Sequence, residues 1–509
     1  MNITDPIVRQ CALRPDAVAI IENGDETTYG QLLQRMAATM GRLREAGVQR
    51  RQHVALDLEY STAAIVVLLA LWRLGAGVSF MRSTWSGHEK SAVMTRHEAA
   101  FVIHAAVPGW SVPDPSLPAF TGLLLGDVAA EADAAPASAP DLADAPYDAS
   151  DDICLIDTTS GTTGLKKSVA LTHAEFFVRL GLDQKLWLPL SERVFLSLSL
   201  ETSIAKTTIA RLLGTGRTLV FGSRQGRGSF FEVIEHDRPT RILTSTGMIP
   251  LLIEHARRNP AQALLREPTT APITVTGSEL PLAQLQWMLA QLGPKVEVQL
   301  GSTEASQTGF VDAQTILADP SIGSILLPWV AMEALDENGQ VLPAGQEGVL
   351  RVRSPSMARG YYRDPQATAQ SFRGGWFHPG DIGSVDAAGR VRLSGRASSL
   401  INMGGSKINP LLIERVLNGL PAVLESAVVT ARRDDTARPV LTAVVVPRVQ
   451  VDKQQLTQQI RQACAAELGA HCVPAAVAFA AALPRNAGGK VMTEELERLV
   501  AAMLGTQHA

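Results

Sequence analysis

The stretch DTTSGTTGLKKSVALTH, Asp157 to His173, decides how this chain is read. Gly161 to Ser168 falls one residue short of G-x-x-x-x-G-K-S, the phosphate loop of nucleotide hydrolases, because Lys166 stands where its second glycine belongs. A loop of that kind runs from a strand into a helix whose N-terminus faces the phosphates. Here ICLIDTT reads as an incoming strand, but KSVALT beyond the glycines alternates and is β-branched. A helical pattern begins only after Thr172, at HAEFFVRLGL, so the segment is expected to join two strands. It is still well made for phosphate. Gly161 and Gly164 allow close backbone approach, Ser160, Thr162 and Thr163 add hydroxyl donors, and Lys167 adds a mobile cation. By composition alone a flexible Gly/Ser/Thr linker fits better, and the rest of the chain must separate the two.

Working outward, RTLVFGS, RILTSTG, APITVTGSEL and KVEVQLGSTE each pair a short β-rich run with a Gly/Ser/Thr-rich end. In open α/β sheets, ligands bind where such strand ends converge. Upstream, TYGQLLQRMAATMGRLREAG reads as an amphipathic helix, HVALDL as a strand and Ala63 to Leu74 as a buried helix, the alternation of a layered α/β fold. Asp127 to Asp152 holds eight carboxylates and no Lys or Arg, and reads as a solvated surface loop. Ser321 to Leu393 has short strands and turns such as DENGQ and DAAGR, a β-rich pattern. After Gly395-Arg396 come strands (SAVVTAR, VLTAVVVPR) and a helix (VDKQQLTQQIRQACAAEL), about the size of a separate small domain. The expected fold class is α/β. A large N-terminal domain, 1–394, is expected to combine layered α/β subdomains with a β-rich one, followed by a hinge at 395–398 and a small mobile α+β domain at 399–509.

Composition limits the function classes. The chain has 509 residues, 46% hydrophobic and 19% charged, with a formal net charge of -4, so no strong field points to nucleic acid or a membrane surface. Cys11, Cys154, Cys464 and Cys472 show no C-x-x-C spacing and read as buried free thiols. No signal peptide is expected at the N-terminus, and AAIVVLLALW is too short to span a bilayer, so a cytoplasmic protein is expected.

Four later motifs give the loop its company: QLGSTEAS (Gln299–Ser306), GGWFHPGDIG (Gly374–Gly383), SGRASSLINMGGSKINPLLIERVL (Ser394–Leu417) and LPRNAGGKVMTEEL (Leu483–Leu496). Glu304, after Ser302 and Thr303, suits a Mg2+ ion bridging phosphate oxygens, or a helix N-terminus. Asp381 could accept from two hydroxyls or close an Asx turn, Arg396 is a contact or a solvated linker charge, and Lys490 is a reaching cation or a surface lysine. With the opening loop, the order and spacing of these motifs resemble the adenylate-forming superfamily of acyl-CoA synthetases, peptide-synthetase adenylation domains and luciferases, over nearly the whole chain.

The resemblance implies roles. Thr159 to Gly164 and Lys167 grip the departing pyrophosphate, while Ser302, Thr303 and the Mg2+ ligand Glu304 face ATP. Gly277, Ser278 and Glu279 present backbone to adenine, Leu300 and Gly301 lie beside it, Asp381 takes the ribose hydroxyls, and Arg396 takes ribose and phosphate. Lys490 spans the substrate carboxylate and α-phosphate, where the transition state gathers negative charge. A carboxylate attacks the α-phosphorus to give an acyl-adenylate and pyrophosphate; a thiol then takes the acyl group and AMP leaves. Between the steps the small domain rotates about Ser398, bringing Gly404 and Gly405 in to line a pantetheine tunnel. Several positions depart from the family: Lys166 and Ser168 replace a proline and a glycine, Leu300 an aromatic residue, Pro379 a threonine and Ser398 an acidic or basic hinge residue.

The acyl pocket is expected at Glu201, Thr202, Thr246 and Gly247. Leu200-Glu201-Thr202-Ser203 lies where amino-acid adenylation domains carry F-D-x-S, so Glu201 binds a substrate amine or is a polar residue at a helix start. LINMGGSKINP resembles the CoA ligases, and no carrier domain follows Lys490. The leading expectation is thus an AMP-forming acid–thiol ligase using ATP, Mg2+ and CoA. The alternatives are a free-standing enzyme loading an amino or aryl acid onto the phosphopantetheine of a carrier protein, and an inactive nucleotide-binding interaction protein.

Overall fold

A computed structural model of the chain describes residues 1–83, 85–105, 121–129, 149–159, 167–187, 192–222, 230–258, 269, 271–397, 400–403, 406–431, 440–448, 450–485 and 491–506. Strand Ile153–Thr158 pairs antiparallel with strand Ser168–Thr172, and helix His173–Trp187 follows. The opening segment therefore joins two strands, as its alternation predicts. Ser160 to Lys166 lie outside the described residues.

The chain divides into two compact units. The first comprises Met1–Leu243, Gly301–Gln307 and Ser354–Gly374. Its six-stranded sheet runs Thr121–Leu124, Ala99–His104, His53–Asp57, Gly77–Phe80, Ile153–Thr158, Ser168–Thr172, parallel except for the last pair. Strands Arg193–Leu196, Thr218–Phe221 and Val18–Glu22 form a second parallel set, edged by antiparallel Asp25–Thr28. Helix Thr62–Leu74 is apolar apart from Thr62 and Arg73 because it is buried on nearly every face. Ser61 caps its start and Gly75, at φ 76°, ends it. Trp72 donates its indole N–H to the Cys154 carbonyl at 2.8 Å and meets Phe176 edge-on, fastening this helix to the strand that feeds the loop.

The second unit comprises Thr244–Leu300, Thr308–Arg353 and Gly375–Ala509. It opens with parallel pairing of Ile273–Val275 to Val296–Val298, and continues as an antiparallel meander that includes Ala331–Leu335, Gly348–Arg353, Asp381–Val385 and Arg390–Arg396. The two turns expected from DENGQ and DAAGR use one device. Asp336 Oδ1 accepts from Asn338 and Gln340 N–H, and Asp386 Oδ1 from Ala388 and Arg390 N–H. The C-terminal part of this unit is α+β. Strands Val423–Ala431, Val440–Pro447 and Ala476–Phe479 carry helices Pro410–Gly419 and Lys453–Leu468 over a core that includes Ile413, Val445, Ile460 and Cys464. A large α/β portion with mixed sheets thus precedes a smaller α+β portion, the expected class.

All four cysteines are buried and free. Among the described residues, no helix is long and apolar enough to cross a membrane. One reading needs correction. Asp152, the end of the supposedly solvated acidic stretch, is buried, and its two oxygens take Nε of Arg50 and Nε of Arg51 at 2.6 Å each. Burial opposes its ionisation, but the two guanidinium groups outweigh it and hold the carboxyl below the usual carboxylate range. The arginines come from a distant part of the chain, so local composition could not announce them.

A fully buried pair had no sequence signal either. Lys206, within helix Ser203–Gly214, is fully buried with Nζ 2.9 Å from Asp157 Oδ1, and it also donates to the Leu200 carbonyl at 2.8 Å. Removing one partner of such a pair strands the other charge. Lys206→Met should therefore lower stability by about 3–5 kcal/mol in urea unfolding, with Asp157→Leu added to it restoring much of the loss. Equal stability of Lys206→Met and the parent would show that the pair carries no such weight.

Candidate active site

In the first unit the expected phosphate-facing residues meet around one turn. Gly301 lacks room for a side chain, since a Cβ there would lie 2.6 Å from the Ser306 carbonyl oxygen. Ser302 Oγ accepts the Ala305 N–H at 3.0 Å, folding Ser302–Ala305 back on itself between strands Val296–Ser302 and Ser306–Asp312. Glu304 therefore sits in a strand–turn–strand connection, which removes the helix N-terminus reading. Arg179, buried in helix His173–Trp187, donates Nη2 to the Thr303 carbonyl and Nε to the Ser356 carbonyl, both at 3.0 Å. Glu304 is itself buried. Its Oε1 accepts the Tyr361 O–H at 2.9 Å, and its Oε2 has no hydrogen-bond partner among the described residues.

Lys167 joins the same group. Its Nζ lies over the Tyr361 ring, 4.8 Å from the centroid, and its carbonyl accepts the Thr159 N–H at 2.8 Å, closing the neck of the loop. Ser168, the departure from glycine, is buried with Oγ 2.9 Å from His97 Nε2 and 3.3 Å from Thr158 Oγ1. Burial pushes the His97 imidazole down to about 3, so this anchor is neutral at ordinary pH. Tyr361 and Arg179 were not anticipated. Each acts through contacts more than 50 residues away, and neither belongs to a quoted motif.

At the expected acyl pocket of this unit, Glu201 Oε1 accepts the Ser83 N–H at 2.8 Å, while Oε2 is buried without a partner among the described residues. Thr202 Oγ1 accepts the Ala205 N–H and donates to the Ser199 carbonyl, so its hydroxyl caps a helix. Arg82, close enough to Glu201 and Asp157 to feel both charges, donates Nη2 to the Thr158 carbonyl at 2.9 Å.

The second unit gathers the expected nucleoside contacts in two pairs. Thr246 and Gly247 form the turn before helix Met248–Arg258, and Thr246 Oγ1 lies 2.8 Å from Ser278 Oγ, so one acyl-pocket candidate and the TGSE turn adjoin. Gly277 takes φ +117°, which exposes the backbone of that turn. Asp381 and Arg396 face each other across an antiparallel pair, with Arg396 Nε 2.9 Å from Asp381 Oδ1. Leu300 is half-buried, and its carbonyl accepts the Thr308 hydroxyl. Glu279, expected to offer backbone only, also uses its side chain: both oxygens take Arg415, at 3.1 and 3.0 Å. Ser160 to Gly164, Ser398, Gly404, Gly405 and Lys490 lie outside the described residues.

The AMP-binding enzyme model matches residues 7–362, and the AMP-binding enzyme C-terminal domain model matches residues 412–490. Feruloyl-CoA synthase of Amycolatopsis sp is 29% identical over 499 residues, 96% of this chain and 97% of that protein. 2-Succinylbenzoate–CoA ligase of Bacillus licheniformis is 27% identical over 491 residues, 96% of this chain and 98% of that one. The amide bond synthetase McbA from Marinactinospora thermotolerans shares the fold at a TM-score of 0.80 and 22% identity, covering 98% of this chain and all of that one.

Beside the Glu279–Arg415 pair, Glu414 Oε1 accepts the Val428 N–H at 2.8 Å. Burial pushes its carboxyl up to about 7 against that N–H, with the Glu279 charge adding to the rise and Arg415 opposing it. Between about 4.5, its ordinary value, and about 7, the folded chain holds a proton that the unfolded chain has released. This group's contribution to stability therefore falls as pH rises through that window. In urea unfolding, Glu414→Gln should gain on the parent at about pH 8 and much less at about pH 5. An equal difference at both would refute the raised carboxyl.

Proposed function

The chain belongs to the AMP-binding enzyme family, and from that premise we propose that it is an ATP-dependent, AMP-forming carboxylic acid–thiol ligase whose thiol is coenzyme A. It is an adenylate-forming enzyme of the acyl-CoA synthetase type; the acceptor is the proposed part. The observation that carries the reading is the Glu304 turn. A buried carboxylate has one oxygen committed to a tyrosine and the other without a hydrogen-bond partner among the described residues, and the phosphate-loop lysine lies over that tyrosine.

Among the described residues, no three His, Cys, Asp or Glu side chains converge. A single carboxylate fits Mg2+, which keeps waters and phosphate oxygens as its other donors, so Glu304 is the residue to hold it. Bound there, the ion would neutralise charge on the phosphates. The chain's own groups do the rest. Lys167 and the hydroxyls of the loop hold the pyrophosphate end, Asp381 and Arg396 exchange their mutual bond for ribose and phosphate, and the Gly277–Glu279 turn meets the base. The substrate carboxylate attacks the α-phosphorus, the bond to the bridging oxygen breaks, and pyrophosphate leaves. Lys490 stabilises the charge on that transition state. Rotation about Ser398 then brings Gly404 and Gly405 forward, the thiol adds to the acyl carbon with loss of its proton, and AMP departs. Coenzyme A is favoured as acceptor by the LINMGGSKINP segment and by two CoA ligases matched along 96% of the chain.

ATP–pyrophosphate exchange across a panel of aliphatic, aryl and amino acids tests the first step. AMP release that depends on CoA, and not on a carrier protein or an amine, tests the second. Release dependent only on an amine would replace the thioester reading with an amide-forming one. Lys490→Ala should reduce exchange by roughly 100-fold or more, while changing thioester formation from a supplied acyl-adenylate only slightly. Equal loss of both steps would remove the role given to Lys490.

A further inference from the structure

We propose that Tyr361 is a positioning residue for adenylation: its hydroxyl aims the Glu304 carboxylate while its ring face holds the Lys167 ammonium. The proposal rests on the reading of Glu304 and Lys167 as the metal and pyrophosphate contacts. Tyr361 is buried and gives its O–H to Glu304 Oε1 at 2.9 Å, while Lys167 Nζ lies 4.8 Å from the ring centroid. A hydrogen bond to an ionised acceptor is among the stronger kinds, and it fixes the rotation of the carboxylate so that Oε2 alone faces a cation. The π face holds the ammonium without neutralising it. No ion pair links Lys167 to Glu304 among the described residues. A direct lysine–carboxylate bridge would have withdrawn both charges from the phosphates, and the tyrosine holds each group without making one.

The ring is rigidly mounted for this task. It packs edge-on against Phe372, with centroids 5.3 Å apart, and its backbone N–H bonds Thr368 Oγ1 at 2.9 Å. The same short segment is stitched to both of the groups it serves. Tyr362 N–H bonds the carbonyl of Ser168, the residue after Lys167, at 2.7 Å. Ala358 N–H bonds the Glu304 carbonyl at 2.7 Å, and the Ser356 carbonyl takes Arg179. A displacement of Tyr361 would therefore move the lysine side and the carboxylate side together.

Two variants separate the halves of the role. Tyr361→Phe keeps the ring face and removes the O–H, whereas Tyr361→Leu removes both. The readout is calorimetric ATP binding across a Mg2+ titration, with ATP–pyrophosphate exchange measured alongside. Tyr361→Phe should move the Mg2+ midpoint for ATP binding upward by about tenfold, and leave metal-free ATP affinity unchanged. Tyr361→Leu should show the same shift and also lose several-fold in metal-free ATP affinity, by about the worth of one cation–π contact. A purely structural role would lower thermal stability without moving the Mg2+ midpoint. A parental midpoint in Tyr361→Phe overturns the proposal and leaves the function intact. Parental ATP binding with no Mg2+ dependence removes the metal reading of Glu304, and this role with it.

Discussion

One buried guanidinium organises the candidate site of the first unit. Arg179 sits on the helix that follows the phosphate loop, and its donors take backbone carbonyls of Thr303 and Ser356, from two later excursions of the chain. An arginine cannot shed its charge on burial, so its surroundings must supply acceptors in a fork-like array. Backbone carbonyls meet that need without adding a second formal charge. The Gly301–Gln307 and Ser354–Gly374 segments therefore belong with the N-terminal unit, although each lies far along the chain from Arg179. The Glu304 turn and Tyr361 depend on this fastening.

Charge burial recurs nearby with a different solution. Lys206 and Asp157 pair directly in the interior, while Lys167 and Glu304 are kept apart around one tyrosine. The contrast accords with the roles proposed for Lys167 and Glu304. A closed pair satisfies itself and is inert toward ligands, whereas two separately held charges remain available to phosphate and to a cation. The proposed ribose contacts, Asp381 and Arg396, are bonded to each other at a half-exposed strand pair.

Much of the fold was legible. The β-branched alternation of KSVALT predicted a strand, and that strand pairs as expected; the largely apolar run from Ala63 to Leu74 predicted a buried helix, and Thr62–Leu74 forms one. Turn chemistry at Asp336 and Asp386 was legible because it is local, with each side chain bonding N–H groups two and four residues on. The acidic stretch failed at its last residue, Asp152, because Arg50 and Arg51 lie about a hundred residues upstream.

For the site, sequence by itself determined the ordered set of motifs, the chemistry of their side chains, and membership in an ATP-using family. Those follow from residue type and spacing, which are properties of the chain. Tertiary structure alone decided which of these groups hold one another: Tyr361 with Glu304 and Lys167, Ser168 with His97, Glu279 with Arg415. Such contacts join residues from 57 to 194 positions apart, or turn on whether a ring face or a hydroxyl points at a partner. Spacing along a chain carries no record of that direction until the backbone is folded.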